Sequence, residues 1–282
     1  MIIKPLKALL LVMLLTAVNL SSAQAAGMCS QVLLESAPSR FETDILDSMS
    51  AAKMLRLKAS DILEVSSRVH SGGAYASGIL KVRTAQGVFV LKVFSEGYIV
   101  RELAPSIVIQ NALAERGLAP AVRGILSSKE MQELLVKFPQ TQKLLQDPDI
   151  SFAVLMDPLD VVSHVTAGHV DHIPAHWTKE KLVARIAEME KAFADLRLAI
   201  PEDLQLVFDR RGGLFLLDFD TYAHMGKDGR AYGQFSSDGT MSGPEYLKSV
   251  MTERNQTGQF RLKSDGSVQV HFKQLRQRLG LN

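Results

Sequence analysis

One cysteine, Cys29, stands in the 282-residue chain, which excludes an internal disulfide and leaves stability to the packed core. Aromatic residues make up only 6% and Trp177 is the sole tryptophan, so that core has to be largely aliphatic. Charge is nearly balanced: 32 basic residues face 30 acidic ones, with no basic tract. Nucleic acid and anionic membrane are therefore poor partners for such a surface. No apolar run reaches the roughly 20 residues that a spanning helix needs, so no membrane-spanning helix is expected. Internal repeats and low-complexity tracts are missing as well.

The main apolar run, 8–18, follows Lys4 and Lys7 and precedes Ala23 and Ala25 in an A-x-A arrangement. This is the pattern of a cleavable secretory signal peptide over 1–25, and it predicts a secreted or periplasmic protein. Asn19, Ser21 and Ser22 end the run too early for a retained anchor, and Met28 before Cys29 breaks a lipoprotein cleavage box. What remains after cleavage suits one large domain or two lobes with a shared core.

Along 26–65 the pattern is helical, with Ile45, Met49, Ala52 and Leu55 spaced for one buried face, and it reads as a helical N-terminal extension. From Val69 the run VHSGGAYASGILKVRTAQGVFVLKVF alternates apolar and polar residues about a turn at Ala85, Gln86 and Gly87, which predicts a β-hairpin. A helix follows over 105–116, opened by Pro105 and stopped by Gly117. A short strand is expected over 121–126, then helix over 129–146 broken at Pro139, and a buried strand running into a turn at Asp157 and Pro158. A long helix over 179–198, capped by Thr178, aligns Leu182, Ile186, Met189, Phe193 and Leu196. Two strands joined at 210–213 come next, then glycine-rich loops, a helix near 245–252, a hairpin near Asp265, and a basic terminal helix. The order gives an α+β class.

Three elements carry chemistry. Gly73 and Gly78 flank a loop, G-A-Y-A-S-G, whose glycines let backbone N–H groups approach phosphate oxygens, although Tyr75 occupies its tip. An ordinary hairpin loop accounts for the same glycines. Lys92 sits in V-L-K-V on an apolar strand, where an inward ammonium needs an anionic partner; the other reading puts it on a solvent-facing edge strand. Asp218 and Asp220, in L-L-D-F-D, end another apolar strand, a setting that suits Mg²⁺ as well as a turn.

Together these resemble the protein-kinase-like superfamily, and A-L-A-E-R-G-L-A-P-A-V-R-G-I-L is similar to the helix-to-strand-four passage of its aminoglycoside phosphotransferase and choline kinase branch. The resemblance runs from about Val69 to Tyr222. It implies a two-lobed kinase-like fold, with a small β-rich N-lobe over 66–157 and a reduced, mostly helical C-lobe over 158–282. It implies ATP and Mg²⁺ as cofactors, with Gly73, Gly78 and Lys92 on the phosphates, Glu102 as partner to Lys92, and Met156 at the hinge that receives the adenine edge. Asp218, Asp220 and Gln205 are the implied metal ligands.

The chain departs from the family at H-G-D-x-x-x-x-N. Gln205 takes the asparagine position, and Ile200 stands where the catalytic aspartate belongs. Either the loop is shortened, so that Asp203 positions the nucleophile, or the base is lost and the chain is a pseudokinase. Phosphoryl transfer leans chiefly on positioning and electrostatics, so both outcomes stay open. His164, His169, His172 and His176 form a separate cluster, but Gly168 and Pro174 argue against a metal-binding helix there, and a polar loop is expected.

Export and ATP chemistry conflict unless the protein reaches a nucleotide-rich place. The leading expectation is therefore a secreted kinase-like effector or toxin domain, transferring a phosphoryl or AMP group to a small molecule or a protein of a target cell. The alternatives are a periplasmic pseudokinase that binds a ligand or protein, and an unrelated exported binding protein.

Overall fold

The computed structural model describes residues 40–47, 56–70, 76–95, 100–146, 149–166, 169–200, 204–219, 222–227, 231–233 and 268–281. The signal peptide expected over 1–25, the helix near 245–252 and the hairpin near Asp265 lie outside the described residues. Alternating apolar and polar residues build one antiparallel sheet of five strands. These are β1 (Ile62–His70), β2 (Ala76–Thr84), β3 (Gly87–Ser95), β4 (Val122–Ser127) and β5 (Ile150–Met156), in the order β1-β2-β3-β5-β4. The turn joining β2 to β3 falls at Ala85 and Gln86, as the alternation predicts, and Gly87 takes φ +138° there. Strand β1 begins at Ile62, well before the expected Val69, so 62–65 is strand and not part of a helical extension. Val65 and Ile62 pack inward as strand residues, and the cross-strand burial overrides a weak helical period.

Each face of this sheet is closed by a helix. Leu80, Val82, Leu91, Val93 and Leu155 meet Met131, Leu134 and Leu135 of α3 (Ser128–Lys137). The opposite face presents Phe94, Ile125, Phe152 and Val154 to Ile107 of α2 (Val100–Ala114). Helix α1 (Arg40–Leu46) buries Ile45, the described member of the expected 45–55 stripe. Ser127 caps α3 by accepting from Glu130 N, and Glu130 Oε2 accepts from Ala59 N at 2.6 Å. Pro139 breaks the helix as expected, and beyond it the chain continues as a 3₁₀ segment, Pro139–Leu144, in place of α-helix.

Helix α2 starts at Val100, before Pro105 and not at it. The proline removes only the bond to the Arg101 carbonyl, close to the helix start, where its fixed φ still suits a helix. Gly117 stops α2 as expected, with φ +69°. Asn111 Oδ1 then accepts from Val122 N at 2.8 Å, which fixes the passage into β4.

A second core gathers Ile109, Leu113 and Leu118 with α4 (Lys179–Asp195) and α5 (Val268–Arg278). Thr178 caps α4, and all five expected stripe residues are buried. Two three-stranded sheets adjoin them: β6 (Val161–Val165), β8 (Gln205–Asp209) and β9 (Leu214–Leu217), and β7 (Leu198–Ala199) with β10 (Ala223–Met225) and β11 (Ala231–Gly233). The described part of 158–282 thus carries more helix than strand, but with six short strands it is not mostly helical. Strands of two or three residues are too short to show a period in sequence. Among the described residues no helix is long and apolar enough to cross a membrane.

Candidate functional site

Lys92 lies on β3, a central strand flanked by Ile79 of β2 and Val154 of β5, which removes the edge-strand alternative. Alternation turns it to the face of Phe94 and Val154, and its ammonium sits 5.0 Å from the centroid of the Phe94 ring, which stacks on Phe152. The side chain is only 19% exposed, and Nζ is 3.8 Å from Asp218 Oδ1. An inward lysine has thus found an anion, as burial demands.

Asp218 follows the last residue of β9 and takes φ +59°, a left-handed conformation that aspartate tolerates at a modest cost. The chain leaves the strand there, and Phe219 turns into the core against Tyr222, 5.2 Å between ring centroids. The Asp218 side chain remains 36% exposed. Gln205 opens β8 directly opposite Leu217, and its amide nitrogen donates to Asp218 Oδ2 at 3.1 Å. Three residues chosen from sequence thus converge from three strands: one cation, one carboxylate and one amide. Among the described residues no group of three or more His, Cys, Asp or Glu side chains is placed to hold a metal. Magnesium asks less of the protein, since it takes one or two carboxylates and completes its shell with phosphate oxygens and water. Asp218 supplies one carboxylate toward that demand, and the Gln205 amide beside it has its nitrogen turned to the carboxylate.

The other expected residues fare differently. Gly78 is not in a loop: it lies within β2 opposite Val93, on the face away from Lys92. A side chain at Gly78 would meet Leu145 Cδ2 at 3.1 Å and the Leu144 carbonyl oxygen at 3.3 Å, so close packing explains this glycine. Met156 lies inside the sheet between Val90 and Val122, and the Asp157 N–H is taken by the Ala121 carbonyl at 2.9 Å. Glu102 falls in the first turn of α2, while its carboxylate, like Gly73, Tyr75, Asp203 and Asp220, lies outside the described residues. Ile200 is fully buried in the second core.

In the histidine segment, His164 is on strand β6 rather than in a loop. Asp171 sits between His169 Nε2 at 3.0 Å and His164 Nδ1 at 3.6 Å. The backbone N–H of His164 donates to it as well and holds its carboxyl below the usual carboxylate range.

One charged group escaped the sequence reading altogether. Asp209, at the end of β8, has a side chain 1% exposed and accepts from Asp160 N, Arg211 N and the Arg211 guanidinium. Burial pushes its carboxyl up, and the hydrogen bonds from Arg211 and the two backbone N–H groups outweigh that, leaving it below the ordinary range. In sequence the D-R-R-G-G run reads only as a turn; an aspartate opening a glycine turn is the sole signal. The chain matches no protein-family model and no curated protein.

Proposed function

We propose that this chain is an exported, atypical kinase-like protein whose cleft binds a magnesium nucleotide between Lys92 and Asp218. The observation that carries the reading is the convergence of Lys92, Asp218 and Gln205 from separate strands, with Lys92 Nζ 3.8 Å from Asp218 Oδ1. Element order supports it too. Lys92 stands on the third strand, a helix follows, then a fourth strand, α3 with its 3₁₀ segment, a fifth strand and the linker 157–160; α3 aside, this is the order of parts that the resemblance implies. Separate cores around the five-stranded sheet and around α4 accord with a two-lobed plan.

In this reading Lys92 holds phosphate oxygens by its ammonium, and Asp218 with the Gln205 amide oxygen holds the metal. Bound there, Mg²⁺ supplies charge neutralisation on the phosphates. Gln205 would offer the metal its oxygen by turning the amide whose nitrogen donates to Asp218 Oδ2. Asp203 is the residue left to position an acceptor, by phosphoryl or AMP transfer, on a target-cell protein or a small molecule. Thermal unfolding with and without Mg-ATP tests the binding step. A ligand at a hundredfold its Kd adds about 2.7 kcal/mol, so the wild type should shift upward while Lys92→Ala and Asp218→Ala should not. Equal behaviour of all three proteins would end the proposal.

A second reading, a pseudokinase that binds a protein or small ligand in the same cleft, is favoured by Ile200. A fully buried isoleucine at the place of the catalytic aspartate supplies no base. Nucleotide binding without transfer to any acceptor, unchanged in Asp203→Ala, separates the two.

A further inference from the structure

We propose that Asp209 is a positioning residue: it clamps the linker 157–160 to the far end of the β8–β9 hairpin, and the hairpin acts as a rigid lever that sets Gln205 and Asp218 against Lys92. Residues 157–160 are the only backbone between β5, in the sheet that carries Lys92, and β6, which pairs with β8. A linker of four residues is ordinarily the place where two packed bodies bend.

Here both of its ends are tied. At the first end, Asp157 takes a two-pronged bond from the Arg123 guanidinium of β4, 2.7 Å on each side, which raises the arginine's affinity for its proton. The Asp157 N–H donates to Ala121. At the second end, Asp160 N donates to Asp209 Oδ2 at 2.8 Å, and Arg210 N donates to the Asp160 carbonyl at 2.8 Å. Arg210 Nε also reaches Asp160 Oδ2 at 2.9 Å, and Arg211 Nη2 donates to the Pro158 carbonyl at 2.9 Å. Pro158 has no N–H and a fixed φ. Little of the linker is left to bend.

The aspartate is specific to this task. Oδ2 accepts from Asp160 N and Arg211 Nη2, and Oδ1 accepts from Arg211 N and Arg211 Nε. An amide has a single accepting oxygen and must present N–H groups to one of these donors. From the clamp the hairpin runs as β8 and β9 to its other end, where Gln205 and Asp218 stand side by side. Leu216 N donates to the Leu118 carbonyl and steadies the lever along its length. Its importance for nucleotide binding rests on the function proposed above; the clamp itself does not.

Hydrogen exchange and lysine acylation test it on the full chain. Asp209→Asn is expected to speed exchange at the Asp160 N–H at least tenfold, with the Asp157 N–H still protected, because its acceptor is on another strand. Acylation of Lys92 by acetic anhydride should rise several-fold relative to Lys129, which is 82% exposed. Arg211→Gln, at a side chain 67% exposed, should give the same two changes more weakly and guards against a variant that fails to fold. An unchanged Asp160 N–H in both variants overturns the clamp. Faster Asp160 exchange with unchanged Lys92 acylation overturns the lever. If both changes appear while wild type ignores Mg-ATP, the clamp stands and the nucleotide reading falls.

Discussion

At Asp209 the charge state of one buried carboxylate should be readable in the stability of the whole chain. Its hydrogen bonds depress the folded pKa, so its contribution is complete above the unfolded value of about 3.9 and is lost as pH falls through the lower folded value. Urea unfolding of wild type and Asp209→Asn should therefore differ by a constant amount above about pH 5 and converge in more acid solution. A gap that widens on acidification would contradict this. Removing the carboxylate outright, in Asp209→Ala, leaves the Asp160 and Arg211 backbone N–H groups without this acceptor and should cost about 2 kcal/mol. Gly78→Ala makes the second residue prediction: the new methyl sits 3.3 Å from the fixed Leu144 carbonyl, and crowding should cost about 1 kcal/mol in the same measurement. No loss of stability would mean that Leu145 is free to yield. Lys92 was legible in sequence because a lysine inside an apolar run is conspicuous, and Asp218 because it ends one. Gly78 misled for the converse reason: a glycine required by packing and one required by a phosphate look alike until the neighbouring chain is seen. Asp209 was hidden because its partner, Asp160, is distant in sequence.

Helix α4 was the most legible element, since its cap and its five-residue stripe recur at one helical period. Thr178→Ala should lower stability by about 1 kcal/mol through the unsatisfied Lys181 N–H. Met189→Ala, which empties a fully buried site, should cost about 3 kcal/mol. Chemical denaturation that ranks the two in reverse order would contradict the packing described for α4. Helix α2 was less legible, because Pro105 imitates a helix start while lying inside the helix. Strands β7, β10 and β11 were not legible at all: two or three residues gain their structure from pairing alone.

For the molecule as a whole, the sheet order β1-β2-β3-β5-β4 puts the lysine strand at the centre, and the β8–β9 hairpin brings the carboxylate to it. Neither juxtaposition follows from local pattern, because each joins residues that are far apart in the chain. The class, α+β, did follow from the order of elements. The most direct measurement of the central claim is equilibrium titration of a fluorescent ATP analogue into the chain, with Mg²⁺ and with chelator, for wild type and Lys92→Ala. Saturable binding that needs the metal and weakens at least tenfold in Lys92→Ala is the predicted result. Binding indifferent to both metal and lysine, or no binding by wild type, would contradict the nucleotide site.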